Sequence, residues 1–278
     1  MNIGFIGIGN MGGAILSGYA SSPASSEDRL LAFDMNRSLC EKTGGEISGL
    51  EICGSSRELC QKSDMIIIGV KPQVIEGVLK EIKPFMRRDM ITVSMAAGVS
   101  IGFIEDIIGK DSVIIRIMPN TPAKVGEAMV AMCRNANVDD GSFAAARRIF
   151  DSIGRAEEVE ESLIDCVIGV SGSSPAYTYM YIEALVSAAV EHGMEESKAR
   201  VFAAQSVLGA AKMVLESGES LEQLRINVCS PKGTTIEAVE KLFENHFMDK
   251  VKEGFQAAFD RSVEMTEERA ASEKGKEK

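Results

Sequence analysis

The sequence predicts an α/β fold, a parallel sheet covered by helices on both faces, followed by an all-helical domain. Three observations predict it. Short apolar, β-branched runs alternate with helix-like stretches up to about residue 160. A glycine-rich turn follows the first of those runs directly. After Ser162 nearly all of the chain reads as Ala-rich helix.

The strand-like runs are Ile3–Ile6, Leu30–Phe33, Met65–Val70, Met90–Met95, Val113–Ile117 and Ala128–Cys133, with Arg155–Glu160 as a last short one. They are apolar throughout rather than alternating, which is the pattern of strands buried on both faces. Gly13–Ala20, Arg37–Thr43, Ser56–Lys62 and Gln73–Phe85 supply helices between them, and 139–153 reads as one amphipathic helix. Beyond Ser162, helical stretches cover 162–192 (interrupted at SGSSP), Glu195–Glu216 and Thr235 to about Thr266, with stop and start residues at Gly193, Gly218 and Pro231. The expected division is therefore 1–160, 161–266, and a charge-dense tail, 267–278, expected to be disordered. The long helices are apolar on more than one face, so a helical dimer interface is expected.

Bulk properties narrow the function. The chain has 278 residues, 45% of them hydrophobic, and a formal net charge of -11. That charge argues against nucleic acid as a partner, since such binding runs on clustered Lys and Arg. No apolar run approaches the roughly 20 residues of a membrane helix. The start, MNIGFIGIGN, lacks the basic segment of a signal peptide. Six cysteines form no C-x-x-C pair, which fits a reduced, cytoplasmic chain. With two histidines, His192 and His246, a multi-histidine metal site is ruled out, and no metal is expected.

The strongest local motif is Gly7-Ile8-Gly9-Asn10-Met11-Gly12. G-x-G-x-x-G alone is weak, but here it follows an apolar strand and opens an Ala/Ile/Leu helix, as a Rossmann dinucleotide site requires. Gly7 permits the tight turn, Gly9 lets backbone approach a pyrophosphate, and Gly12 lets helix and strand pack closely. Amides at the helix start then face the phosphates. About 20 residues on, where the adenosine ribose belongs, lies Phe33-Asp34-Met35-Asn36-Arg37. Asp34 suits a ribose 2′-OH and hence NAD. Arg37 with Asn36 suits a 2′-phosphate and hence NADP, although Arg37 also reads as an ordinary helix-start cation. NADPH is the expected cofactor, with NADH the alternative. Val70-Lys71-Pro72-Gln73 and Ala96-Ala97-Gly98 begin at carboxyl ends of predicted strands, where ligands bind in open α/β sheets.

The segments GFIGIGNMGGAI, VKPQ, SMAAGVSI, RIMPNTPAKVGEA, GVSGSSPAYTYMYIEAL and SPKGTTIEAVEKL, in that order, resemble the pyrroline-5-carboxylate reductase family, and the resemblance covers residues 3 to 266. It implies a Rossmann domain plus a helical dimerisation domain. It also implies NAD(P)H-dependent reduction of (S)-1-pyrroline-5-carboxylate to L-proline, and dimers often assembled into rings. Carried over by position, it makes Gly7 to Gly12 the pyrophosphate loop and places Ser55 or Ser56 beside the adenosine. It lines the cofactor with Val70, Lys71, Pro72 and Ala97, and adds Asn227 from the helical domain of the partner subunit. It gives the substrate to Ser230, Gly233, Thr234 and Thr235, with Glu161 a further candidate, and makes Thr235 the candidate catalytic residue. Independently of the family, Ser230–Thr235 precedes a helix, so free amides and two hydroxyls there suit a carboxylate, while a plain helix cap is the other reading. Two departures stand out: Ser174 and Lys232 each replace a family glycine. Another reductase on the same scaffold, or a sensor that binds without turnover, are the competing readings.

Overall fold

The computed structural model describes residues 1–274, with side-chain burial through Glu268. The chain separates into two compact units: Met1–Gly172 together with Ala258 onward, and Ser173–Ala257.

The first unit is an eight-stranded sheet in the order β3-β2-β1-β4-β5-β6-β7-β8. Its strands are β1 (Asn2–Ile6), β2 (Arg29–Phe33), β3 (Glu51–Ile52), β4 (Met65–Ile68), β5 (Ile91–Ser94), β6 (Val113–Met118), β7 (Ala128–Arg134) and β8 (Gly154–Glu158). Helices α1 (Asn10–Ala20), α2 (Arg37–Glu46), α3 (Ser56–Lys62), α4 (Ile75–Ile82), α5 (Ile101–Ile108) and α6 (Asp140–Asp151) connect them. The whole of β4 is buried, as its unbroken apolar sequence requires. Two apolar clusters form: Ile3, Ile15, Leu16, Tyr19 and Phe150 belong to one, Ile66, Ile68, Leu79 and Ile104 to the other. Neighbouring positions of β4 divide between them, Met65 and Ile67 against Ile66 and Ile68, as strand geometry dictates. The strand order reverses between β1 and β4, and that switch point opens a crevice at the carboxyl ends of the strands.

Two features differ from the sequence reading. The two-residue β3 is too short to carry a periodic signal. The β6–β7 pair is antiparallel, within an otherwise parallel sheet. Only a single 3₁₀ turn, Thr121–Val125, joins these strands, too short a link for a parallel crossover.

After β8 come α7 (Ile164–Val167), a π-turn at Ile168–Gly172, α8 (Ser174–Glu191), α9 (Glu196–Glu216), α10 (Leu221–Val228), α11 (Thr234–Glu244) and α12 (Phe247–Lys274). The sequence had offered no α10, and it joined α11 and α12 into one stretch. A cap at Asn245 and a left-handed His246, φ 57°, part them. Helix α12 runs to Lys274, into the segment expected to be disordered, and 275–278 of that segment lie outside the described residues. Within the second unit only Ala199 and Ala203 are buried, among the described residues, while Tyr179, Met180, Phe202, Leu208 and Leu215 are each more than half exposed. Apolar helix faces left so open mark an association surface.

Candidate active site

The nucleotide motif forms a cradle in the first unit. Gly7 has φ 87°, the left-handed conformation glycine tolerates, and its amide donates to the Phe33 carbonyl at 2.9 Å. A Cβ on Gly12 would lie 2.1 Å from the Gly7 carbonyl oxygen, and one on Gly69 2.5 Å from the same atom. Loop, α1 and the end of β4 therefore lock together only because both positions are glycine. Gly9 is different: nothing lies within 4 Å of its Cβ position. It is the N-cap of α1 and offers no side chain to the first-turn amides, which lack partners one turn earlier within the helix. Open space at the exposed Gly9 and Asn10, with free amides at a helix start, fits a phosphate group.

Asp34 and Arg37 frame the adenosine end. The Asp34 carboxylate accepts from Ile8 N and Asn36 N, both at 2.9 Å, and so ties the glycine loop to the end of β2. The Asn36 side chain caps α2 by accepting from Leu39 N at 3.3 Å. Arg37 is exposed and makes no ion pair among the described residues. With Asp34, Cys40 and Gly54 it lines a cleft of ≈ 460 Å³. On the other side of the switch point, Val70, Lys71 and Pro72 follow β4, and Ala97 sits in the turn after β5. Lys71 is exposed; Val70 and Pro72 are half-buried.

Two expected site residues make hydrogen bonds within the fold. Ser56 is 1% exposed, and its hydroxyl donates to Glu81. Helix packing buries it, while Ser55 caps α3 by accepting from Glu58 N at 3.1 Å. Glu161 Oε1 accepts from Ile101 N at 2.8 Å and from Arg116 Nη1 at 2.9 Å. Asp34, by contrast, proves more deeply built into the loop than its ribose reading implied.

Burial pushes Cys53 and Cys60 up to about 11 and Cys133 up to about 12, leaving all three as neutral thiols. Glu51, Cys53 and Glu58 lie together, but Lys62 pairs with both carboxylates, so a cation already fills the place a metal would take.

The remaining candidates lie on the second unit. Asn227 is exposed near the end of α10; its side chain donates to Glu219 and accepts from Gln223, both at 2.7 Å. The Ser230–Gly233 turn closes with Gly233 N donating to Ser230 O at 2.9 Å, and a Cβ on Gly233 would meet Ser230 Oγ at 2.2 Å. Lys232 adopts φ 60°, a left-handed position held by a non-glycine residue. Gly233 caps α11 without a side chain, so the first amides of α11 are open. Neither Thr234 nor Thr235 has a hydroxyl hydrogen bond among the described residues. Ser174, the other departure, starts α8 with Pro175 behind it, and its carbonyl accepts from Thr178 Oγ1 at 3.0 Å.

Comparison with known proteins decides the family. Residues 161–265 match the family model for pyrroline-5-carboxylate reductase dimerisation, and residues 2–98 match that for coenzyme F420-dependent NADP oxidoreductases. The pyrroline-5-carboxylate reductase of Escherichia coli is 42% identical over 95% of this chain and 98% of its own. The chain belongs to the pyrroline-5-carboxylate reductase family. It is an oxidoreductase, and its helical part is a dimerisation region that supports self-association. Solved members agree. The Coxiella burnetii reductase superposes with a TM-score of 0.89 at 32% identity, covering 95% of this chain and 98% of that one. The Plasmodium falciparum enzyme, solved with NADP bound, gives 0.84 at 30% identity, covering 96% and 98%.

Proposed function

We propose that this chain reduces (S)-1-pyrroline-5-carboxylate to L-proline, the last step of proline biosynthesis, with NADPH as its main cofactor and NADH as the alternative. The observation that carries the reading is the pairing, in one chain, of the Gly7–Gly12 cradle with an open, hydroxyl-bearing start of α11.

A bound nicotinamide cofactor supplies the hydride. The chain's own part is to orient and to stabilise charge. Amides at Gly9 to Gly12 hold the pyrophosphate, Arg37 with Asn36 serves the 2′-phosphate, and Val70, Lys71, Pro72, Ala97 and Asn227 line the rest. We assign the substrate carboxylate to the Ser230–Thr234 amides and hydroxyls, and the ring nitrogen to the Thr235 hydroxyl. Hydride addition to the C=N carbon leaves an electron pair on nitrogen, so nitrogen must carry a proton. That proton arrives as a preformed iminium, from water or from Thr235. Ser56 and Glu161 are left out of this set: the Ser56 hydroxyl is buried against Glu81, and Glu161 Oε1 holds both Ile101 N and Arg116. The dimer, and dimers assembled into rings, are the proposed assembly, and six unpaired cysteines support a cytoplasmic setting.

The test follows NADPH and, separately, NADH absorbance with pyrroline-5-carboxylate and with its six-membered analogue. Rapid oxidation with the five-membered imine supports the reaction, and the ratio of the two rates fixes the cofactor. Preference for the larger imine overturns the substrate but keeps the chemistry. Binding of NADPH without oxidation by either imine overturns the reaction.

A further inference from the structure

Arg116 lies on β6 with 4% of its surface exposed, and its Nε is buried without a partner. One guanidinium nitrogen, Nη1, donates to Glu161 Oε1 at 2.9 Å. Buried ion pairs contribute little net stability, and an orphaned donor makes this one worse. Its purpose is therefore sought in what it holds.

The same Glu161 oxygen accepts from Ile101 N, the first amide of α5. Ile101 directly follows the Ala96–Ser100 turn, where the reading above places the cofactor against Ala97. That turn is weakly held from within. Met95 N reaches Ile68 O at 3.4 Å, Ala96 N reaches Ser94 Oγ at 3.4 Å, and Val99 N reaches Ala96 O at 3.3 Å, all long hydrogen bonds. Its outer bracing is firmer. Gly98, φ 67°, lies beside α12, where a Cβ would make an ordinary contact 3.5 Å from Met265 O. Ser262 Oγ, one turn earlier on α12, donates to Asp165 Oδ1 at 2.5 Å.

We propose that Glu161 is a positioning residue. It fixes the exit of the Ala96–Ser100 turn through the Ile101 amide, and so sets the surface on which the nicotinamide end of the cofactor rests; Arg116 fixes Glu161. The inference rests on the proposed function. It replaces direct substrate contact by Glu161 with an action through the cofactor turn.

Calorimetric binding of NADPH and of 2′,5′-ADP, which carries only the adenosine half, separates the roles. Glu161→Ala weakens NADPH about tenfold, the scale of one hydrogen bond to a charged group, and leaves 2′,5′-ADP unchanged. Turnover falls about tenfold or more with the Michaelis constant for the imine little changed, and the isotope effect on hydride transfer from deuterated NADPH rises. Glu161→Gln, whose amide oxygen still accepts from both donors, recovers most of the loss. Glu161→Asp keeps the charge, is safe for folding, and is a methylene too short to serve both donors, so it shows the same split at smaller size. Equal weakening of both ligands, or a rise confined to the Michaelis constant for the imine, overturns the inference. Wild-type protein that binds neither ligand overturns the parent reading and this one with it; wild type that binds both, with unaltered variants, overturns this one alone.

Discussion

Gly9→Ala and Gly12→Ala are one atom-group changes three residues apart, and the structure sets opposite outcomes for them. At Gly12 the new Cβ would stand 2.1 Å from the Gly7 carbonyl oxygen, against 3.4 Å for an ordinary contact. Loop and helix must part by about 1.3 Å, and overpacking of that kind costs about 1–3 kcal/mol. In a chain of this size each kcal/mol lowers the melting midpoint by about 2–4 °C. At Gly9 nothing lies within 4 Å. Alanine caps a helix less well than glycine but loses less chain entropy on folding; each effect is about 0.5–1 kcal/mol, and they oppose. The melting midpoint of Gly9→Ala therefore stays close to wild type. Its methyl group instead occupies the space through which a pyrophosphate reaches the α1 amides. Each hydrogen bond lost to a charged group costs about 1.5–3 kcal/mol, so NADPH affinity falls by roughly tenfold to a hundredfold. Thermal melts without ligand and fluorescence titration with NADPH measure the two quantities. Wild-type affinity in Gly9→Ala, or destabilisation of both variants alike, would refute the assignment of this loop to phosphate.

Four further outcomes are expected. Thr235→Ala lowers kcat/KM by about 1–3 kcal/mol of transition-state stabilisation, and unchanged steady-state constants would remove its role. Arg37→Ala raises the Michaelis constant for NADPH far more than that for NADH; equal rises would dismiss the 2′-phosphate contact. Lys232→Gly relieves a left-handed side chain and raises stability by about 0.5–1 kcal/mol after glycine's entropy is counted, read from the urea midpoint. Burial alone pushes the Asp28 carboxyl up, but hydrogen bonds from the N-terminal ammonium and Tyr19, with the Arg148 charge, hold it below its usual value. A lowered folded-state value gives stability that is full above the ordinary carboxylate range and is lost as pH falls through the folded value. Asp28→Asn is accordingly less stable at neutral pH, and the gap to wild type closes as pH drops below about 4 in denaturant melts. A gap that persists unchanged in acid would count against this account.

Much of the sheet was legible because its signal is local. Strands such as β4 are buried on both sides, so their composition announces them, and the glycine loop follows from φ and contact demands that only glycine meets. What escaped depends on distant partners. The antiparallel β6–β7 pair is decided by connection length rather than by either strand's residues. Ser56 carries nothing in its own neighbourhood to show that it meets Glu81, twenty-five residues away. The resemblance made Glu161 a substrate candidate, and nothing near it in the sequence shows that β6 pairs it with Arg116. Conversely, Lys232 was marked by the family pattern before its left-handed backbone gave the departure a physical meaning.

Helix α12 begins in one compact unit and ends in the other, since residues from Ala258 onward join Met1–Gly172. The sheet unit is therefore discontinuous in the chain. During vectorial synthesis its strands emerge first, yet the segment bearing Ser262 and Met265, which closes over Asp165 and Gly98, leaves the ribosome only after the intervening helices. The nascent sheet must wait, nearly complete, for its last piece. An early stop at about residue 257 would leave an assembled sheet with an uncovered Gly98 turn, a species whose defect lies far from the place where the chain was cut.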